Sequence, residues 1–330
     1  MKSFLVSKNR ELQVRAALWF LSFGSIFTLL GFLYGAAPMH VLGRWVLLPS
    51  LLLISLLWFW AYKKGLKSIH EAMFLGLIGG FVGTLGYDLV RIPMHFFGFN
   101  PFPPIQSYGM YLLNVQSSTV LSDLTGLFYH FSNGITFAWI YSLVMKNKSI
   151  GWAVLWGLLL ETLAVLTPFG AIYGIRTAYK ALAIAYGAHL FYGFPLGWFC
   201  EKPLLLRQRL NRIFPYIMLA TLVVGLFFWE AWHLGRGEQV PANTILVRED
   251  FISETWTRSE VGQMLTVKNE LEEVLDFEIL GITERMSLSP GDSVAIEMDT
   301  VGLHQFLVHN PLLRSVMISV EKGGFPFDRN

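Results

Sequence analysis

Three ionisable residues, Asp88, Arg91 and His95, fall within "GYDLVRIPMHFFG", residues 86–98, in one of the most apolar stretches of the chain. "SDLTGLFYHFSNG" repeats the pattern, with Asp123 and His130 seven apart and Asn133 three further on. Glu161 lies in "WGLLLETLAVLTPFG", His189 in "AYGAHLFYGFPLG", and Glu230 and His233 in "WEAWH". Imidazole and carboxylate together form a donor set for iron, copper, zinc or manganese. Two imidazoles on facing helices also suit the axial positions of a haem. The candidate metal ligands are therefore His130, His189 and Glu161, with His95, Asp88 and Asp123 as further ligands or as groups that orient them. Each residue alone has a structural reading too, because polar side chains in a membrane hydrogen-bond across helices. No HExxH spacing is present, so the signal rests on the set rather than on a motif.

These residues need elements to carry them, and composition says what kind. Hydrophobic residues make up 54% of the 330 residues and charged ones 15%, well below the usual charged share of about 25%. A bilayer is crossed by about 20 apolar residues. Seven stretches qualify as candidates: 16–36, 43–62, 72–96, 118–145, 150–172, 178–200 and 213–234. The first is too long for the apolar core of a cleaved leader, which spans roughly 7–15 residues, and reads as an uncleaved helix. The expected fold is an α-helical integral membrane bundle of about seven spans over residues 1–236, followed by a C-terminal all-β domain over 237–330.

Loop charge orients the bundle. With the N-terminus in the cytoplasm, Lys2, Lys8, Arg10, Arg15, Lys63, Lys64, Lys67, Lys146, Lys148, Lys202, Arg207, Arg209 and Arg212 face inward. Only Arg44, Arg176, Lys180 and Arg236 face outward, as the positive-inside rule requires. The expectation is a multi-pass protein of the inner (cytoplasmic) membrane with its C-terminal domain outside. At that orientation His130, Glu161 and His189 fall at similar depth near mid-membrane. Asp88 and Asp123 lie further out, and His95 near the outer boundary. Charges at such depth cost roughly 2.5–3.5 kcal/mol each on insertion scales, so they are expected to be paired and inward-facing. Asp88 and Arg91, three apart, share a helix face.

Glycines at 76, 79, 80, 83 and 86, and again at 193 and 197, let helix backbones approach closely. Pro93 is expected to kink or end its helix, and "NPFPP" at 100–104 to form a non-helical loop. "GTLGYDLVRIP", "YHFSNGITFAWIY" and "AHLFYGFPLG" resemble stretches of poorly characterised bacterial polytopic membrane proteins. That resemblance covers roughly 72–200 and implies a four-helix unit without an agreed activity.

Beyond residue 240 the pattern changes to short alternating runs: "MLTVKNE", "LDFEILG", "SVAIEMD", "HQFLVHN" and "SVMISVEK". These read as strands of a β-sandwich. Their order, with "SLSPGDSVAIEM" before "GLHQFLV", resembles a cupredoxin over roughly 262–322. A blue-copper member of that family implies a histidine near Asp276 and a cysteine near Val308. The single cysteine of the chain is Cys200, so type 1 copper is excluded chemically, as are disulfides within the chain and CxxC motifs. His304 and His309 are what is left to a weak copper site.

The functions expected from these readings are, first, an integral membrane metalloprotein, redox-active or metal-handling, with possible copper, iron or haem and a periplasmic domain covering the site or docking a redox partner. The alternatives are a non-catalytic accessory or assembly subunit of a respiratory or copper-containing membrane complex, and a proton-coupled transporter using Asp88, Arg91 and Glu161. A net charge of +2 implies no nucleic-acid partner, and neither a nucleotide-binding glycine motif nor a GxSxG elbow is present.

Overall fold

The computed structural model describes residues 2–95, 103–115, 119–172, 179–233, 243–249, 252, 256–300, 302–310 and 314–321. Helices occupy the first part: α1 (Lys2–Leu21), α2 (Gly24–Leu33), α3 (Met39–Leu42), α4 (Leu48–Lys63), α5 (Lys67–His95), α6 (Pro103–Leu113), α7 (Val120–Met145), α8 (Ile150–Leu166), α9 (Pro168–Ile172), α10 (Tyr179–Glu201) and α11 (Leu206–His233). The described residues of the seven apolar stretches are mostly helical. Among the described residues, four helical stretches are long and apolar enough to cross a membrane: Asn9–Leu33, Met39–Lys63, Lys67–Ile92 and Pro203–Leu226. Ile150–Leu166 is apolar but shorter. Large apolar side chains such as Trp45, Leu52, Phe59, Leu166 and Tyr216 are exposed on these helices, where a bilayer would cover them.

The chain divides into two compact units, one of residues 1–91 with 128–222 and one of 92–127 with 223–330. The expected boundary at 236/237 lies outside the described residues.

In the first unit the glycines work as the spacing predicted. A Cβ on Gly80 of α5 would stand 2.7 Å from the Ile135 Cα of α7. One on Gly157 of α8 would stand 2.5 Å from the His189 carbonyl oxygen of α10. Only glycine permits backbones this close. Hydrogen bonds then lock the neighbours: Tyr192 Oη of α10 donates to the Gly134 carbonyl of α7 at 2.6 Å, and Trp139 Nε1 to the Met73 carbonyl of α5 at 2.8 Å.

Two expectations change in the second unit. Pro103 and Pro104 open α6 instead of lying in a loop; residues 100–102 are outside the described residues. Proline suits the first helical turn, because its missing N–H has no partner to lose there. Helix α5 runs two residues past Pro93, to His95.

Among the described residues the β region has eight strands: β1 (Thr244–Val247), β2 (Trp256–Glu260), β3 (Met264–Asn269), β4 (Leu275–Ile279), β5 (Met286–Leu288), β6 (Ser293–Glu297), β7 (Gly302–Asn310) and β8 (Arg314–Glu321). They form two sheets, ordered β1-β3-β6 and β2-β8-β7-β4-β5. One apolar core joins them, with Ile245, Val267 and Ile296 from the first sheet and Phe277, Phe306 and Ile318 from the second. Strands β1, β2 and β5 were not among the expected runs; β2, "WTRSE", carries too few apolar residues to signal a strand. Helix α6 packs on β2 within this unit. The Arg258 guanidinium lies 5.1 Å over the Tyr111 ring and donates from Nη1 to the Val115 carbonyl at 2.9 Å.

Candidate functional site

Each functional side chain of the first unit stands one turn beyond a close helix contact. Thr84 of α5 packs against Gly134 of α7. One turn further along α5 and one turn back along α7 are Asp88 and His130. His130 Nε2 lies 3.0 and 3.1 Å from the two Asp88 carboxylate oxygens. Arg91 Nη1 approaches one of those oxygens at 3.5 Å. Asp88 is fully buried and Arg91 nearly so.

The seam between α8 and α10 builds a second pair. Gly193 packs on Ala153, and Gly157 on the His189 carbonyl. One turn beyond Gly157 is Glu161, whose Oε2 lies 3.0 Å from His189 Nδ1. Glu161 is 2% exposed, and its other oxygen, Oε1, is buried without a hydrogen-bond partner among the described residues.

Tyr87 of α5 stands between the pairs. Its ring centroid is 6.0 Å from that of His130 and 4.9 Å from that of His189, edge-on to the latter. The Arg91 guanidinium lies 4.9 Å over the same ring. Sequence reasoning missed Tyr87. The available signal was its place four residues after Gly83, the glycine that packs on Tyr192 of α10.

Proton positions follow from the acceptors. His189 Nδ1 faces two of them, Glu161 Oε2 and the Ala185 carbonyl, each at 3.0 Å, so it carries the hydrogen. His130 Nε2 faces only carboxylate oxygens and carries its hydrogen there. The other nitrogen of each ring has no hydrogen-bond partner among the described residues. Charge divides the pairs. Asp88 has a permanent cation, Arg91, beside it; among the described residues Glu161 pairs with His189.

The structure thus brings Asp88, His130, Glu161 and His189 together as two pairs, Asp88 with His130 hydrogen-bonded and Glu161 with His189 in contact at 3.0 Å. Among the described residues, no group of three or more His, Cys, Asp or Glu side chains is placed to hold one metal ion. Asp123, on the first turn of α7, is buried and belongs to the second unit. The side chain of His95, and those of Glu230 and His233, lie outside the described residues.

In the β unit the two cupredoxin ligand positions are otherwise occupied. Asp276 accepts hydrogen bonds from Ser287 Oγ at 2.7 Å and Arg285 Nη2 at 3.1 Å. These partners hold its carboxyl below the usual carboxylate range, the serine bond contributing most. Val308 is a core side chain paired with Phe277. These residues do not fit a type 1 copper. His304 is buried with Nδ1 3.0 Å from the Leu280 carbonyl and Nε2 2.8 Å from the Thr300 carbonyl, so both ring nitrogens are engaged by backbone. His309 Nε2 lies 2.9 Å from Glu278 Oε1.

No protein-family description matches the chain, and no curated protein matches it. Among solved structures, 42 chains match. A purple cupredoxin from Nitrosopumilus maritimus is 13% identical over 24% of this chain and 98% of its own, with a TM-score of 0.20. An oxidised amicyanin mutant is 10% identical over 26% of this chain and 89% of its own, with a TM-score of 0.23. A reduced amicyanin mutant gives the same identity and coverage at a TM-score of 0.22. The class defined is a protein with an apolar helical N-terminal region and a C-terminal β region that has cupredoxins as structural neighbours.

Proposed function

We propose that this is a seven-span protein of the inner membrane, with its N-terminus in the cytoplasm and its β domain outside, whose helical unit handles protons as part of proton-coupled transport. The loop charges support the orientation. The observation that carries the function is the Glu161–His189 pair: a buried carboxylate 3.0 Å from an imidazole N–H, with its second oxygen unsatisfied. A carboxylate and an imidazole at that distance can exchange a proton. Asp88, His130 and Arg91 form the fixed-charge partner cluster, and Tyr87 fills the space between. Ionisable residues inside membranes mark such relays.

Full-length protein in liposomes carrying a pH-sensitive dye tests this. An imposed potential drives proton entry through the wild type, and Glu161→Gln abolishes it. Entry equal to that of protein-free liposomes in the wild type overturns the reading.

One observation favours a second reading, the metalloprotein with redox or metal-handling function. Each imidazole sets one nitrogen beside a buried carboxylate and leaves the other without a hydrogen-bond partner among the described residues, the arrangement that orients metal-bound histidines. The metal would be copper or iron held by His130 and His189, with Asp88 and Glu161 behind them. Elemental analysis of the purified protein, before and after His130→Gln and His189→Gln, separates this from the proton reading. Should those substitutions change only the yield of a larger assembly, the accessory-subunit role takes precedence.

A further inference from the structure

The start of α11 carries a feature that neither reading uses. Arg209 lays its guanidinium 4.9 Å over the Trp198 ring of α10. Its Nη1 is shut away from solvent and finds no acceptor among the described residues. Lys202, Arg207 and Arg212 flank it, and among the described residues none of these four cations forms an ion pair. The same turns expose large apolar groups: Leu204 is 96% and Phe214 58% exposed. Leu206, Leu210 and Ile213 turn the other way and pack into the helical core.

We infer that Arg209, stacked on Trp198, is a binding site for the phosphate of an acidic phospholipid headgroup. Stacking holds the guanidinium flat, and with Nη1 enclosed the edge left for recognition is that of Nε and Nη2. That edge matches two oxygens of a phosphate, the bidentate geometry that arginine favours and lysine cannot supply. A partly desolvated cation with no anion beside it is costly, and an oxyanion at that edge offsets the cost. Inorganic phosphate would satisfy Arg209 but leave Leu204 and Phe214 in water. A phospholipid satisfies both, with its headgroup on the cations and its acyl chains over the apolar side chains. Clustered basic residues beside a spanning helix attract anionic lipid for the same electrostatic reason.

The test compares full-length protein in nanodiscs of phosphatidylcholine alone with discs that also contain phosphatidylglycerol. Thermal unfolding is followed in both, and native mass spectrometry counts the phospholipid retained after purification. Phosphatidylglycerol is expected to raise the midpoint and to be retained preferentially. Arg209→Gln and Arg209→Lys lower that retention about tenfold, the loss of one charge-assisted bidentate contact. Arg207→Gln, two residues away on the other side of the helix, lowers it less. Equal wild-type midpoints and equal retention of both lipids overturn the proposal, and this comparison needs no variant to fold. A full shift produced by inorganic phosphate in phosphatidylcholine discs overturns the lipid as the source of the anion.

Discussion

Glu161 Oε2 lies 3.0 Å from His189 Nδ1, while Glu161 Oε1 is buried with no hydrogen-bond partner among the described residues. Glu161→Gln keeps the shape and an acceptor for the imidazole N–H but removes the exchangeable proton. The contact falls from a charged to a neutral one, a loss of about 1 kcal/mol. Proton entry into liposomes should therefore vanish while the thermal midpoint in detergent drops by only a few degrees. A collapse of the fold in this variant would make the pair structural.

Asp88→Asn should behave in the opposite sense. Asp88 serves two partners, His130 through both oxygens and Arg91 through one. Its amide leaves the nearly buried Arg91 without the carboxylate charge, and breaking a buried ion pair this way costs about 3 kcal/mol or more. The expected result is a larger loss of thermal stability than in Glu161→Gln. Equal losses would show that the Arg91 contact adds nothing.

Helix spacing sets the geometry of the site, so packing variants should reach it. Gly157→Val pushes a side chain into the His189 backbone, where even a Cβ would come within 2.5 Å of the carbonyl oxygen. Overpacking costs about 1–3 kcal/mol, and here it also draws Glu161 away from His189. Gly187, on the same helix as His189, is the control: a Cβ there meets nothing within 4 Å. Gly187→Ala should leave both proton entry and thermal stability at the wild-type level, whereas Gly157→Val should lower both.

Some of this was legible in the sequence and some was not, for separable reasons. The glycine spacing of α5 and α10 announced close packing, because a backbone contact needs only the absence of a side chain. Asp88 with Arg91 was legible because a three-residue spacing on a helix is local. The pairing of Asp88 with His130, and of Glu161 with His189, depends on which helices touch and in what register. Depth alone had grouped His130, Glu161 and His189 as one set, whereas rotation about each helix axis splits them into two pairs. Tyr87 was invisible for the same reason, since an aromatic residue on an apolar helix gives no chemical signal. Helix α6 was hidden by its two opening prolines, which also mark loops. In the β domain the alternating runs revealed the central strands, but "WTRSE" did not reveal β2. Its Arg258 is buried under α6, which no local pattern encodes.

The β domain supplies a prediction with a definite sign. Glu270 accepts hydrogen bonds from Lys268 Nζ at 2.7 Å and from Arg248 Nε, and these partners lower its pKa, the lysine bond most. Asp276 is lowered in the same way by Ser287 and then Arg285. A carboxyl whose pKa is lower folded than unfolded contributes stability above its unfolded value, which is about 4. That contribution is lost as pH falls through the unfolded value towards the folded one, because the unfolded chain takes up the protons first. Hydrogen-exchange protection of the β3 and β4 amides in the full-length protein should be level from pH 7 to about 5 and fall below about 4. Glu270→Gln combined with Asp276→Asn should lower the plateau and flatten the fall. An unchanged acid slope in the double variant would place the acid sensitivity of the domain elsewhere.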